Sequence, residues 1–428
     1  MVRVISDLHI HSKYSRATSE KMNIEEITRF ARVKGLNLLG TGDFTHPRWL
    51  KELSEDLVEA SNTSLYKPAK DQESAVHYIV TGEVSTIFNF GDEIKKVHHV
   101  ILTPSLETAV QVNERLARFG NLTVDGRPTL DMTAPQLVEE VMEVSDENVV
   151  IPSHAWTPWF SIFGAFSGFD RVEDCYQDMT KHIHALETGL SSDPPMNWRL
   201  STLDKFALVS NSDSHSSWPW RIGREANVFE LSHLTYREVT DAIRKKDSKR
   251  FKFTIETDPA YGKYHWTGHR NCNVSLSPQE AIKLGNRCPV CRRRLTKGVE
   301  QRVEELADRP VGFKPEGAIG YMHLLPLSEI IATVLQVTYL GAPKVWSMYN
   351  ALVERFGDEY TVLIDAPREE MSKVVDPKIA EAIVRVREEK VRVIPGYDGV
   401  YGQLVILEGK EEEKPVGKIK QRSITDFM

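Results

Sequence analysis

Along the first 255 residues, helical and strand-like patterns of apolar positions take turns. "MNIEEITRFARVKG" spaces its apolar residues three and four apart, which predicts an amphipathic helix ended by Gly35. "LNLLGTGDF" is then a buried strand running into a polar loop. "HYIVTGEVST", "VHHVILTP", "NVVIPSHAW", "HALETGLSSD" and "FALVSNSDSH" repeat the scheme. Each apolar run ends in side chains able to bind a metal. That is the arrangement of a β/α barrel, whose chemistry gathers at the C-terminal ends of its strands. Near the start, "SDLHIHS" is flanked by Val2, Val4, Ile5 and Ile10. A strand there points successive side chains to opposite faces, so Asp7, His9 and His11 share one face.

The pattern changes twice further on. Residues 258–315 are rich in Gly, Pro, Cys and Arg and read as a small separate module, while 316–410 return to an α/β pattern. Residues 411–428 form a charged tail. The expected division is therefore a β/α-barrel domain at 1–257, a small cysteine-bearing module at 258–315, an α/β domain at 316–410 and a tail at 411–428.

Composition narrows the classes. A chain of 428 residues is too long for one ordinary core. With 41% hydrophobic and 27% charged residues it is globular, and no membrane span or signal peptide is read, so a cytoplasmic monomer is expected. The net charge of −7 argues against a uniformly basic nucleic-acid binder but leaves room for basic patches. Of the four cysteines, Cys272, Cys288 and Cys291 cluster and Cys175 stands alone, which fits a metal site and not a disulfide framework. The Glu, Lys and Arg content of the helices and tail suggests a thermophile.

The strand ends carry the candidate chemistry. Asp7, His9, His11, Asp43, His46, Glu83, His99, His154, Glu187, Asp213 and His215 all fall at or just beyond them. One alone is a helix cap or a satisfied polar group. Together at one barrel mouth they would repel one another or stay unsatisfied without cations. In "VHHV", His98 and His99 must face opposite ways, and His99 is chosen. Asp193, in "GLSSDPP", either orients water or protonates a leaving group, or is an ordinary turn residue before two prolines.

"DLHIHS", "TGDFTHP", "TGEVS", "HHVIL", "PSHAW" and "NSDSH" resemble, in order, the motifs of the polymerase-and-histidinol-phosphatase, or PHP, family. The resemblance implies a distorted seven-stranded β/α barrel around a trinuclear centre of Zn, Mn, Mg or Fe. It would have His9, His11, Glu83 and Asp213 hold one ion. Glu83 would bridge to a second held by His99 and His154, and His46 and His215 would hold a third. Ser15 stands where some members supply a further histidine, so Asp7 or Asp43 would have to help there. Two ions about 3.5–4 Å apart bind a phosphoester and activate water, with Glu83 and Asp213 central to that chemistry.

His269-x2-Cys272 and Cys288-x2-Cys291 lie fifteen residues apart, a zinc-ribbon spacing for one structural zinc, with His265 the alternative to His269. Between Lys283 and Arg302 stand seven basic residues and one acid, and Arg292, Arg293 and Arg294 follow the second knuckle. Beside a phosphoesterase they read as phosphate-backbone contacts. "AWTPWFSIFGAFSGFD", with Trp156 and Trp159, and "SSWPWRIGR", with Trp218, Trp220 and Arg221, form either a lid or a wall that stacks on an extruded base. Tyr321, His323 and Tyr397 are further candidates for DNA contact. In "QRSITDFM", Gln421, Ile424 and Phe427 resemble a sliding-clamp (PCNA) binding box, with Met428 in place of the second aromatic.

Taken together, these parts resemble archaeal DNA-repair endonucleases of the PHP type. The resemblance implies nicking on the 5′ side of hypoxanthine, uracil, xanthine or abasic sites in double- or single-stranded DNA. A histidinol-phosphate-like phosphatase would share the metals without needing a ribbon or a clamp box. A non-catalytic DNA-binding scaffold would not need the ligand set.

Overall fold

Asn23 opens the first helix, Ile24–Lys34, by accepting a hydrogen bond from the Glu26 N–H, and Gly35 closes it in the left-handed region at φ 92°. The computed structural model describes residues 1–406. Its first strands are β1 (Val2–Asp7), β2 (Leu38–Gly40), β3 (Leu57–Ala60), β4 (Leu65–Pro68), β5 (His77–Phe90), β6 (Glu93–Thr103), β7 (Thr129–Leu130) and β8 (Val149–Pro152). They are followed by β9 (Ala185–Glu187), β10 (Ala207–Val209), β11 (Ala226–Leu231) and β12 (Phe251–Glu256). The antiparallel pair β13 (Thr267–His269) and β14 (Val274–Leu276) lies in the cysteine-bearing segment. β15 (Gly320–His323) joins the main sheet beside β12, and β16 (Arg392–Ile394) pairs with β17 (Gln403–Val405). The fold is mixed α/β.

The pairings that position the site follow one another around a ring. β1 runs parallel to β2, and β2 to β5. β5 and β6 are antiparallel, as are β6 and β8, and β9 is parallel to β10. A bridge from Val150 to Ile183 links β8 to the chain entering β9, and one from Ile10 to Ser214 links the chain beyond β1 to the chain beyond β10. Val4, Leu38, Ile79, Val100, Ile151, Ala185 and Val209, one from each of these seven strands, pack in a single apolar cluster. Strict β/α alternation fails between β5 and β6. They form one long hairpin that turns at Gly91 (φ 59°) and Asp92, pairing Phe90 with Glu93 and Glu83 with Val100.

Helices dominate the region expected to be α/β, among them Leu327–Val334, Pro343–Phe356 and Pro377–Arg387. A buried ion pair ties it to the first helix. Lys34 Nζ lies 2.7 Å from Glu359 Oε1 and donates to the Pro219 carbonyl at 2.8 Å. Glu359 also accepts from the Leu327 N–H and the Tyr349 hydroxyl. Burial lowers the Lys34 pKa, and the Glu359 carboxylate opposes that shift. Among the described residues no helix is long and apolar enough to cross a membrane.

Candidate metal centre

The ring brings together residues far apart in sequence. His11 N–H donates to the Ser214 carbonyl at 2.9 Å, so the segments beyond β1 and β10 run side by side and set His9 and His11 beside Asp213. β1 ends at Asp7, so His9 and His11 stand on extended chain beyond the strand. Opposite them, the β5–β6 register gives Glu83 and Val100 the same face, and His98, two residues from Val100, shares it. His154 lies just past β8 with a positive φ of 31°, and its N–H donates to Glu187 Oε2 at 3.0 Å. Gly189 makes room for it, because a Cβ at Gly189 would lie 2.7 Å from His154 Cβ.

Glu83 sits at the centre of these groups, and its two oxygens face different neighbours. Oε2 lies 3.4 Å from His9 Nε2 and 3.4 Å from His11 Nε2, while Asp213 Oδ1 lies 2.8 Å from His11 Nε2. Oε1 lies 3.1 Å from His98 Nδ1 and 3.2 Å from His154 Nε2. Two groups of ligand atoms therefore share one carboxylate: His9, His11, Glu83 and Asp213 on one side, Glu83, His98 and His154 on the other. All are buried except Asp213, which is partly exposed.

The donor set fits divalent ions. Imidazole and carboxylate together suit Zn, Mn or Fe. His9 Nε2 is buried without a hydrogen-bond partner. The opposite nitrogen of each histidine on these loops is held in place. His9 Nδ1 lies 3.0 Å from Glu187 Oε2, His11 Nδ1 lies 2.9 Å from Asp43 Oδ1, and His154 Nδ1 lies 3.1 Å from Ser161 Oγ. Metal-ligating histidines are usually oriented through their second nitrogen in this way. Burial alone would raise the Glu83 carboxyl, but His98, His9 and Arg127 together hold it well below the usual range. Burial drives the His98 imidazole down to about 4 despite the opposing pull of Glu83.

Several expected ligands stand elsewhere. His99 faces away from Glu83, with Nδ1 2.8 Å from the Tyr176 hydroxyl and Nε2 2.9 Å from Thr86 Oγ1, and it is His98 that stands in the group with Glu83 and His154. Asp7 accepts hydrogen bonds from Ser212 and from the Gly223 N–H, and burial raises its pKa to about 6 against them. Asp43 and Glu187 orient His11 and His9 and do not join either ligand group. Ser15 donates to the same Asp43 carboxylate. His46 contacts the Thr123 carbonyl and stacks on Tyr14, whereas the His215 ring packs at a tilt against His11, 4.3 Å between centroids. Among the described residues no third ligand group forms around these two histidines. Asp193 also stays outside: it caps the helix Pro194–Trp198, and its Oδ2 lies 3.1 Å from His323 Nε2. Arg127, which sequence reasoning missed, lies 3.1 Å from Glu83 Oε2.

His269, Cys272, Cys288 and Cys291 come within ligand reach of one another, while His265 lies 3.3 Å from Glu300. Arg292, Arg293 and Arg294 are exposed. Trp156 is a core residue, 1% exposed, with its indole N–H on Asn197, which removes it from any DNA-facing wall. Trp159 is exposed and stacks on Phe166. Trp218 and Trp220 stack on each other, and both pack against Trp346; Arg221 is half-buried nearby. Tyr321 lies beside His323, and Tyr397 bonds Asn273. Gln421, Ile424, Phe427 and Met428 lie outside the described residues.

Residues 326–390 match the family model of the MJ0043 C-terminal domain. The chain is 34% identical over 278 residues to the uncharacterised protein MJ0043 of Methanocaldococcus jannaschii, a match spanning 63% of this chain and 34% of that longer one. It is 27% identical over 422 residues to the uncharacterised protein YqxK of Bacillus subtilis, covering 94% of this chain and all of the other. Among solved structures it is similar to the lesion-specific endonuclease PfuEndoQ of Pyrococcus furiosus, at 34% identity over 99% of this chain and 98% of that one, with a TM-score of 0.84. It is also similar to endonuclease Q in complex with a 27-mer duplex substrate carrying an abasic lesion at the active site, at 33% identity over the whole of both chains and a TM-score of 0.83.

Proposed function

The chain belongs to the endonuclease Q family, and from that premise we propose that it is a metal-dependent DNA-repair endonuclease. Its reaction would be hydrolysis of the phosphodiester on the 5′ side of a damaged nucleotide, either a deaminated base (hypoxanthine, uracil or xanthine) or an abasic site. The observation that carries the reading is the placement of Glu83, each of whose oxygens meets a different set of ligand side chains. Divalent ions in those two sets would supply Lewis-acid polarisation of the phosphoester and acidify a water. Glu83 would fix the spacing between them, with His9, His11 and Asp213 on one side and His98 and His154 on the other. Asp43, Glu187 and Ser161 keep the imidazoles aimed. Arg127 brings a fixed positive charge to the same place, suited to a phosphate.

The succession of pairings from β1 round to β10 supports a distorted seven-stranded PHP barrel for residues 1–257. The four-residue Cys and His group supports one structural zinc in a ribbon at 258–315, whose exposed arginines would contact the DNA backbone. Trp159, Trp218 and Trp220, with Arg221, would form the aromatic wall against an unpaired nucleotide. Residues 316–410 would complete the DNA-binding surface, and the tail box at Gln421–Met428 would recruit the sliding clamp.

The test is a cleavage assay on 5′-labelled duplexes each carrying one hypoxanthine, uracil, xanthine or abasic site, with and without Mn, Mg or Zn, beside a phosphate-release assay on small phosphomonoesters. A metal-dependent nick 5′ to the lesion and no phosphate release is the expected result. Phosphate release without nicking would replace the reading with a small-molecule phosphatase.

A further inference from the structure

We propose that Arg302 is a positioning residue that couples the cysteine-bearing module to the His98 and His154 side of the metal centre. The proposal rests on the reading of the Glu83 cluster as a metal centre. Arg302 lies on the helix Val299–Leu306, at the end of the module. Its Nε donates to the Phe163 carbonyl and one Nη to the Phe169 carbonyl, both at 3.1 Å, and the same Nη lies 2.5 Å from Asp170 Oδ1. One guanidinium thus holds both arms of the aromatic loop that follows His154.

That loop supports two ligands at once. The Phe160 carbonyl accepts the His98 N–H at 3.1 Å, and the Phe160 ring packs on the His98 imidazole at 4.8 Å. Ser161 Oγ lies 3.1 Å from His154 Nδ1 and donates to the His154 carbonyl at 2.7 Å. Both His154 and Phe160 have positive φ, at 31° and 58°, a conformation that persists in non-glycine residues only where surrounding contacts impose it. The loop therefore depends on its external holds, and Arg302 provides two of them through backbone carbonyls that no other side chain occupies among the described residues.

The other end of the link is equally short. Gln301, next to Arg302, is fully buried; its Oε1 accepts from Thr267 Oγ1 at 2.6 Å and its Nε2 donates to Asn286 Oδ1 at 2.8 Å. Thr267 and Asn286 lie two residues before His269 and Cys288, two of the module's four ligands. Order imposed by an ion in the module thus passes through one buried amide to the helix that grips the loop. Glu187, which holds both the His154 N–H and His9 Nδ1, also ties the start of this loop to the other ligand group, whereas Arg302 grips the part of the loop that supports His98 and His154.

The test uses the full chain as purified, with bound ions counted by native mass spectrometry during stepwise challenge with nitrilotriacetate. In Arg302→Ala one barrel ion should leave at about tenfold lower chelator concentration than in the wild type, the lower end of what outer-contact substitutions do to metal affinity. The module's own ion and the second barrel ion should leave as in the wild type. For cleavage, kcat should fall while KM for the duplex stays near its wild-type value. Asp170→Asn, at a largely exposed side chain, should shift the same ion in the same direction by a smaller factor, and it decides the question if Arg302→Ala does not fold. Wild-type release from both variants overturns the coupling. A wild-type chain that carries no ion beyond the module's overturns the metal-centre reading, and the proposal with it.

Discussion

Two adjacent histidines should behave in opposite ways when replaced. In His98→Ala the set Glu83, His98 and His154 loses one of its three donors. A four-ligand zinc site is worth about 10–16 kcal/mol, so one ligand accounts for roughly 3 kcal/mol, about a hundredfold in affinity. One ion of the Glu83 cluster should be absent after desalting, and cleavage lost. In His99→Ala no ligand is lost. The removed ring is fully buried and leaves the Tyr176 hydroxyl without the partner it has at 2.8 Å, whereas Thr86 Oγ1 keeps the Val97 carbonyl at 3.3 Å. An unsatisfied buried hydroxyl costs about 1–3 kcal/mol, and with the added cavity the total is about 3 kcal/mol. His99→Ala should therefore unfold at distinctly lower denaturant concentration with its full complement of ions. Elemental analysis and urea titration of the two proteins, side by side, are the assay. Loss of an ion from His99→Ala, or its retention in His98→Ala, refutes the hairpin register on which the assignment depends.

Three further outcomes are expected. Lys34→Met should destabilise the chain by about 3–5 kcal/mol, because Glu359 stays buried without its cation, and adding Glu359→Gln should recover part of that in urea titration; wild-type stability of the single variant would refute it. The His323 imidazole is pushed up to about 9: burial opposes this, but Asp193 at 3.1 Å outweighs it. The raised pKa means that the stability His323 contributes over His323→Gln, about 2–3 kcal/mol, is fully present below pH 6.5 and lost as pH rises through 9; a pH-independent difference would contradict this. Neutralising Arg292, Arg293 and Arg294 together should weaken binding to damaged and undamaged duplexes alike and reduce the salt slope by up to about 2.7; a loss confined to one lesion would mean that they read the base.

Much of the site was legible because apolar periodicity marks the strands and the polar residues that break it: His9, His11, His154 and Asp213 stand just beyond β1, β8 and β10, and Glu83 within β5. These five candidates are the ones that the structure brings together around Glu83. His98 was missed for a reason that the sequence also contains. A two-residue turn at Gly91–Asp92 fixes the hairpin register and pairs Glu83 with Val100. Period-two alternation then puts His98, not His99, on the Glu83 face. Asp43 and Glu187 were legible as candidate ligands but not as supports, since only the folded geometry separates a carboxylate that faces an ion from one that holds an imidazole behind it, and Asp7, also a candidate, instead accepts from Ser212 and Gly223. Arg127 lies in a loop with no periodic signal. Trp156 belongs to an aromatic-rich stretch that alternates between core and surface over a few residues, so composition marks the loop without sorting its members. The helical character of the C-terminal region was masked by Pro and Gly breaks that divide it into short segments.

Anomalous diffraction from crystals grown with manganese tests the central claim most directly. The account expects two peaks flanking Glu83, one within coordination distance of Oε1, His98 and His154, the other of Oε2, His9, His11 and Asp213. A single peak away from Glu83, or peaks seated on His99 or between His46 and His215, would contradict it.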